Sequence, residues 1–113
     1  MLGFNHALRG LFNIIKSERN FKIQFSIFLV VLCMGFYFKI ETLEWLIIIL
    51  TSGAILSLEI INSAIEKTCD LISRANHPEI KVIKDISAGA VLLLSIFAVV
   101  VGLIIFIPHW LAY

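Results

Sequence analysis

The sequence predicts an all-α integral membrane protein with three transmembrane helices and an N-terminal amphipathic surface helix. Three observations carry that prediction. Of 113 residues, 60% are hydrophobic and 15% charged, and the mean hydropathy of +1.01 lies outside the range of soluble domains. Three long apolar stretches alternate with short polar segments, and at roughly 20 residues per crossing the chain has room for about three spans and little else. The first residues are apolar at helical spacing without being apolar throughout. A single domain over residues 1–113 is expected, which excludes a multidomain enzyme. The net charge of +1 leaves no basic footprint for nucleic acid.

The surface helix comes first, over residues 1–17. Phe4, Ala7, Leu8, Leu11, Phe12 and Ile15 recur at the i, i+3, i+4, i+7 spacing of one helical face, with Asn5, His6, Arg9, Asn13 and Lys16 on the other. Such a segment is too polar to span and lacks the continuous apolar run of a signal peptide, so it should lie in the plane of the interface. Residues 21–38, 43–72 and 85–107 follow as membrane helices. A tight connection after Lys39 joins the first two, with Thr42 as the expected N-cap. Residues 73–84 carry Pro78 and read as a polar loop. Pro108 should end the last helix, leaving Trp110 and Tyr113 as an interfacial anchor. Cys33 and Cys69 suit neither a disulfide framework nor a metal motif and read as packing residues.

The cations are segregated. Arg9, Lys16, Arg19 and Lys22 precede the first span, Lys67, Arg74, Lys81 and Lys84 flank the second polar segment, and Lys39 alone lies elsewhere. Positive flanks stay in the cytoplasm, so the N-terminus and the 73–84 loop should face inward and the C-terminus outward, in a multi-pass protein of the cytoplasmic (inner) membrane.

The second span carries the informative residues. At ~100° per residue, Glu59, Asn62, Ser63, Glu66 and Asp70 share one stripe. Carboxylates within a membrane helix are costly and mark function, because apolar residues would fill that face at far less cost. With Trp45 at the outer interface, Glu59 lies ~21 Å and Glu66 ~32 Å inward, against a hydrocarbon thickness of ~30 Å. Glu59 is therefore within reach of a lipid-embedded group, and Glu66 of a water-soluble one.

Lys84, Asp85 and the small residues Ser87, Ala88, Gly89 and Ala90 open the third span, where helix backbones can approach closely and free N–H groups suit an anion. Glu18, Arg19 and Asn20 form a charged cluster where the surface helix meets the first span. Several of these residues also have plainer readings. Asn62 and Ser63 serve equally as interhelix hydrogen-bonding groups, Lys84 and Asp85 as an interfacial pair, Arg9, Lys16 and Lys22 as topology determinants, and His77 as a solvated loop residue.

The run Glu59-Ile60-Ile61-Asn62-Ser63-Ala64-Ile65-Glu66 resembles E-x-x-N-[ST]-A-I-E, and Lys84-Asp85-Ile86-Ser87-Ala88-Gly89-Ala90-Val91 resembles K-D-x-x-A-G-A-V. These are signatures of the small bacterial membrane lipid kinases, the prokaryotic diacylglycerol kinases and undecaprenol kinases, and the likeness extends over nearly the whole chain. It implies a homotrimer with active sites shared between subunits, ATP as co-substrate, Mg²⁺, and a membrane lipid alcohol as acceptor. An assembly also answers an expected physical need, because three helices are too few both to surround a polar stripe and to shield it from lipid. By motif, Glu59 is the implied general base and Asn62 positions the reacting groups. Glu18 and Glu66 are the implied metal ligands, and Asn76, His77, Lys84 and Asp85 the ATP contacts. Asn20, Lys22, Trp45 and Ala88 are assigned to the lipid acceptor. Neither a G-x-x-x-x-G-K-[ST] loop nor a protein-kinase signature is present. The segments around Glu18 and Ala88 favour the undecaprenol branch over diacylglycerol kinases making phosphatidic acid, although Gln24 stands where that branch commonly has His and Ile83 where a small residue is usual.

A different class of function is a non-enzymatic assembly subunit or a small proton or cation transporter. A transporter needs polar groups across the full thickness. The expectation here is an apolar outer half, with none from Leu46 to Leu50 and an apolar last helix from Val91 to Ile107.

Overall fold

The computed structural model describes residues 2–73, 75 and 77–113. Four helices account for almost all of them: α1 (Leu2–Ser17), α2 (Arg19–Phe38), α3 (Thr42–Ile72) and α4 (Pro78–Ala112). Among the described residues there is no strand. The last three are long and apolar enough to cross a membrane, and their outward faces are apolar and exposed, with Leu50, Leu92 and Ile104 all more than 60% accessible. This is the surface a bilayer requires and water penalises. The chain is a multi-pass membrane protein.

Glu18 is the single non-helical residue between α1 and α2, in an extended conformation at φ −97°, ψ 114°. Its N–H still bonds the Ile14 carbonyl and its carbonyl accepts from the Lys22 N–H, at 3.0 and 3.2 Å. The two helices therefore meet at an elbow held from both sides. Ile14 is buried at this elbow, whereas Phe4, Leu8, Leu11, Phe12 and Ile15 are exposed. The apolar face of α1 is thus left uncovered by the rest of the chain, as an interfacial helix demands.

Several boundaries differ from the sequence expectation. α3 starts at Thr42 with Glu41 as its N-cap, and the Glu44 carboxylate accepts from the Glu41 N–H at 3.0 Å. α4 begins at Pro78 rather than at 85, so most of the expected loop is helix. Proline at the first helical position loses no bond, because that N–H has no intrahelical partner, and its φ is already helical. His77 caps this end, with its Nδ1 accepting from the Glu79 N–H at 3.2 Å. Nor does Pro108 end α4, which runs on to Ala112. A proline one turn from the end forfeits one hydrogen bond, and the contacts of the final turn with α2 and α3 hold the helix beyond it.

α3 pairs antiparallel with α4 along most of its length. Lys84 Nζ meets Asp70 Oδ1 at 2.6 Å near one end and His109 Nε2 meets Glu44 Oε1 at 3.0 Å near the other. The partners' residue numbers add to 154 and 153, so the register is constant between these cross-links. We call the end with Glu18, Lys67 and Lys84 basal and the end with the Lys39 turn distal. The hydrophobic core sits distally and consists of Phe38, Ile40, Ile48, Ile105 and Phe106. Trp45 lies so close to Gly35 that a Cβ there would come within 2.5 Å of the indole, and its ring packs on Phe36 at 4.9 Å. Glycine is what allows α2 and α3 to approach at this point.

Candidate active site

The basal half of α3 buries polar groups where an ordinary core would bury apolar ones. Glu59, Asn62 and Ser63 are 5, 6 and 7% exposed, and Ser87 on α4 is 9% exposed. Ile14, Phe21, Cys69 and Val91 are also buried at this end. Contrary to the expectation that one chain cannot shield the stripe, Glu59, Asn62 and Ser63 are already covered within it, whereas Glu66 is half-buried and Asp70 exposed.

The stripe is internally connected. Asn62 Nδ2 donates to Glu66 Oε1 at 3.2 Å, and Asn62 also lies against the Glu59 carboxylate. Asn62 Oδ1 is fully buried and has no hydrogen-bond partner among the described residues. An orphaned buried oxygen costs about 1–3 kcal/mol, which a donor from a bound molecule would recover. The charges of Glu66 and Glu18 both act on the Glu59 carboxylate, and Glu18 is also 3.8 Å from Lys67 Nζ. The elbow thus carries Glu18 to the acidic face of α3, joining residues far apart in sequence.

The remaining predicted residues fall into three groups. Lys84 and Asp85 stand at the basal end of α4, Lys84 bound to Asp70 and Asp85 to Lys81 Nζ at 2.7 Å. His77 is the exposed helix cap beside them, and Asn76 lies outside the described residues. Asn20, Lys22 and Ala88 are exposed at the same end. Trp45 is apart from all of these, in the first turn of α3 at the distal end of the bundle and occupied by its packing on α2.

The donors suit a hard divalent cation. Glu18, Glu66 and the open Asn62 oxygen are oxygen ligands of the kind Mg²⁺ takes, alongside phosphate oxygens and water. Among the described residues no three His, Cys, Asp or Glu side chains are gathered to hold an ion by themselves, as expected where a nucleotide brings part of the coordination shell.

One feature escaped the sequence reading. A cleft of about 420 Å³ opens between α2, α3 and α4, lined by apolar groups such as Leu56 and Phe106 and by the polar side chains of Gln24, Thr51, Ser52 and Ser95. Ser95 interrupts a helix read as apolar from Val91 to Ile107. A lone serine in a hydrophobic run carries little periodic signal, and only the register of α3 against α4 reveals its place. Ser52, Leu56, Glu59, Asn62, Ser63 and Glu66 follow one helical face, so the cleft and the acidic stripe are continuous along α3.

A buried acid beside an apolar cleft, with lysines and further acids toward the basal end, is chemically suited to bring a lipid and a charged soluble molecule together. Comparison with known proteins agrees. The family model described as prokaryotic diacylglycerol kinase matches residues 5–106. The chain is 42% identical to an undecaprenol kinase of Bacillus subtilis (strain 168) over 105 residues, covering 93% of this chain and 85% of that protein. It is 32% identical to a diacylglycerol kinase of Synechocystis sp. (strain ATCC 27184 / PCC 6803 / Kazusa) over 113 residues, 99% of this chain but 65% of the longer relative. The chain belongs to the prokaryotic diacylglycerol kinase family. It is an enzyme, a lipid kinase with ATP as co-substrate.

Proposed function

We propose that this kinase transfers the γ-phosphoryl group of ATP to the hydroxyl of undecaprenol at the cytoplasmic face of the inner membrane. The observation that carries the reading is the single face of α3, on which Glu59 lies buried at lipid depth and Glu66 two turns nearer the basal end, with Asn62 between them. Undecaprenol is favoured by the Bacillus relative, which matches at higher identity and over more of its own length than the Synechocystis diacylglycerol kinase. Diacylglycerol is the second reading, supported by that latter relative.

In this scheme Glu59 takes the proton from the alcohol as its oxygen bonds to the γ-phosphorus, while the bond from that phosphorus to the β–γ bridging oxygen breaks and ADP leaves. Asn62 holds the Glu66 carboxylate through Nδ2 and positions the reacting groups between Glu59 and Glu66. Glu66 and Glu18 would hold Mg²⁺, which when bound neutralises phosphate charge. Lys84, on releasing Asp70, pairs with the phosphates, and Asp85, His77 and Asn76 complete the nucleotide end. Asn20, Lys22 and Ala88 face the lipid headgroup region.

We read the basal end as cytoplasmic because every Lys and Arg of the sequence except Lys39 falls before the first span or around the polar segment between the second and third. We also propose a homotrimer. Its support is the exposed run of Ala88, Gly89 and Ala90, small enough for a neighbouring helix to approach, rather than any need to hide the acids.

An assay of purified protein with labelled ATP and Mg²⁺ on a panel of lipid alcohols tests the reading. Undecaprenol should be labelled faster than diacylglycerol, and chelation should abolish both. A folded enzyme that labels neither defeats the proposal.

A further inference from the structure

Lys67 stands at the acidic face of α3 without a place in the proposed mechanism. It follows Glu59 and Ser63 at four-residue spacing, on the edge of the stripe that the elbow approaches. Its Nζ lies 3.8 Å from Glu18 Oε1, with the lysine side chain 58% and the glutamate side chain 26% exposed. Two other basal ion pairs are close, Lys84 with Asp70 at 2.6 Å and Lys81 with Asp85 at 2.7 Å. The contact of Lys67 with Glu18 is longer and leaves most of the lysine in solvent. So open a pair adds little to the stability of the fold.

Its looseness makes it exchangeable, and its position gives the exchange an effect. The charges of Glu66 and Glu18 both act on Glu59, and Lys84, bonded to Asp70, is also acted on by Glu66. Glu18, Glu59, Glu66 and Asp70 thus face two lysines, each of which holds one of the acids. In the proposed mechanism Lys84 reaches the nucleotide by releasing Asp70. Lys67 is placed to make the same exchange with Glu18, from the opposite side of the stripe.

We infer that Lys67 is a binding residue that couples metal to nucleotide: it is the resting counter-cation of Glu18, and it turns to a phosphate oxygen of ATP when Glu18 serves as metal ligand. The inference rests on the proposed assignment of Glu18 to the metal. An ammonium beside a ligand carboxylate opposes a bare divalent cation, both by repulsion and by competing for the same oxygens. Phosphates reverse the sign, because they offer the displaced ammonium an anionic partner, and a lysine on its flexible four-carbon stem can follow them. The site should therefore take metal poorly by itself and well with nucleotide, so that the two reactant components enter together.

The effect of removing the charge should have opposite signs in two equilibrium measurements that need no turnover. The first is Mn²⁺ binding to the purified kinase without nucleotide, followed by the electron paramagnetic resonance signal of free Mn²⁺. Lys67→Met should bind Mn²⁺ about fivefold tighter than the unaltered protein, whereas Lys67→Arg, which keeps the charge, should match it. The second is binding of a fluorescent ATP analogue at saturating Mg²⁺. Here Lys67→Met should bind about fivefold more weakly, and Lys67→Arg should again match the unaltered protein. A merely structural lysine would weaken both equilibria or neither. Mn²⁺ binding that is unchanged or weaker in Lys67→Met, or analogue binding that is unchanged, overturns the inference. If Glu18→Gln leaves Mn²⁺ binding as it was, the assignment of Glu18 to the metal falls instead, and the inference with it.

Discussion

The distal and basal halves of the bundle are built from the same three helices by opposite rules. Distally, Phe38, Ile40, Ile48, Ile105 and Phe106 fill an apolar core, and polar contacts tie its rim: His109 with Glu44, and the Tyr113 hydroxyl donating to the Tyr37 carbonyl at 3.0 Å. Basally, the buried residues include Glu59, Asn62, Ser63 and Ser87, and the Asn62 oxygen has no partner among the described residues. One half is arranged for cohesion and the other carries costly, incompletely satisfied groups. Stability is concentrated where no chemistry is needed, so that the site can remain poised for a ligand.

That division can be broken at either end, and the effects should differ in kind. The largest is expected at Glu59. Glu59→Gln should lower turnover by ~10²–10⁴-fold, the usual contribution of a general base, while leaving thermal stability equal or higher, since a buried charge is removed. Near-normal turnover would take Glu59 out of the mechanism. Next, Glu66→Gln should raise the Mg²⁺ concentration giving half-maximal rate by roughly tenfold or more. An unaltered Mg²⁺ titration would contradict its role as ligand.

Distal changes should move stability and spare the kinetic constants. Gly35→Ala forces a methyl against the rigid Trp45 ring and should cost ~1–3 kcal/mol, read as a lower midpoint of thermal unfolding in detergent. If the midpoint holds, the close approach of α2 and α3 does not contribute as described. His109→Gln should cost at most about 1 kcal/mol, because an amide can still bond Glu44. Smallest of all, and back at the basal end, Lys81→Ala removes an exposed i, i+4 partner of Asp85 and should leave the unfolding midpoint unmoved, as loss of a surface pair usually does.

The two halves also differed in how far the sequence revealed them. The acidic ladder was visible because charge inside an apolar run stands out, and helical periodicity then places Glu59, Asn62 and Glu66 on one face. The spans were visible for the same reason of contrast. What stayed hidden depends on tertiary context. Pro78 reads as a loop residue until it is seen at the first helical position, and Pro108 reads as a stop until the packing of the last turn is known. Burial of Glu59, Asn62 and Ser63 within a single chain depends on the register of α4 against α3, which the periodicity of neither segment reveals. Ser95 was overlooked because one hydroxyl among many aliphatic neighbours has no pattern of its own. Trp45 was grouped with the lipid-contact residues, yet it stands by Gly35 far from the acids.

α3 is one unbroken helix of 31 residues, about 46 Å long and so longer than the hydrocarbon layer is thick. It acts as a ruler fixed across two media. In the proposed mechanism, the gap between the group that deprotonates the alcohol and the group that meets the nucleotide is set by a count of residues, with no hinge or domain closure required to bring the two reactants to the same meeting point.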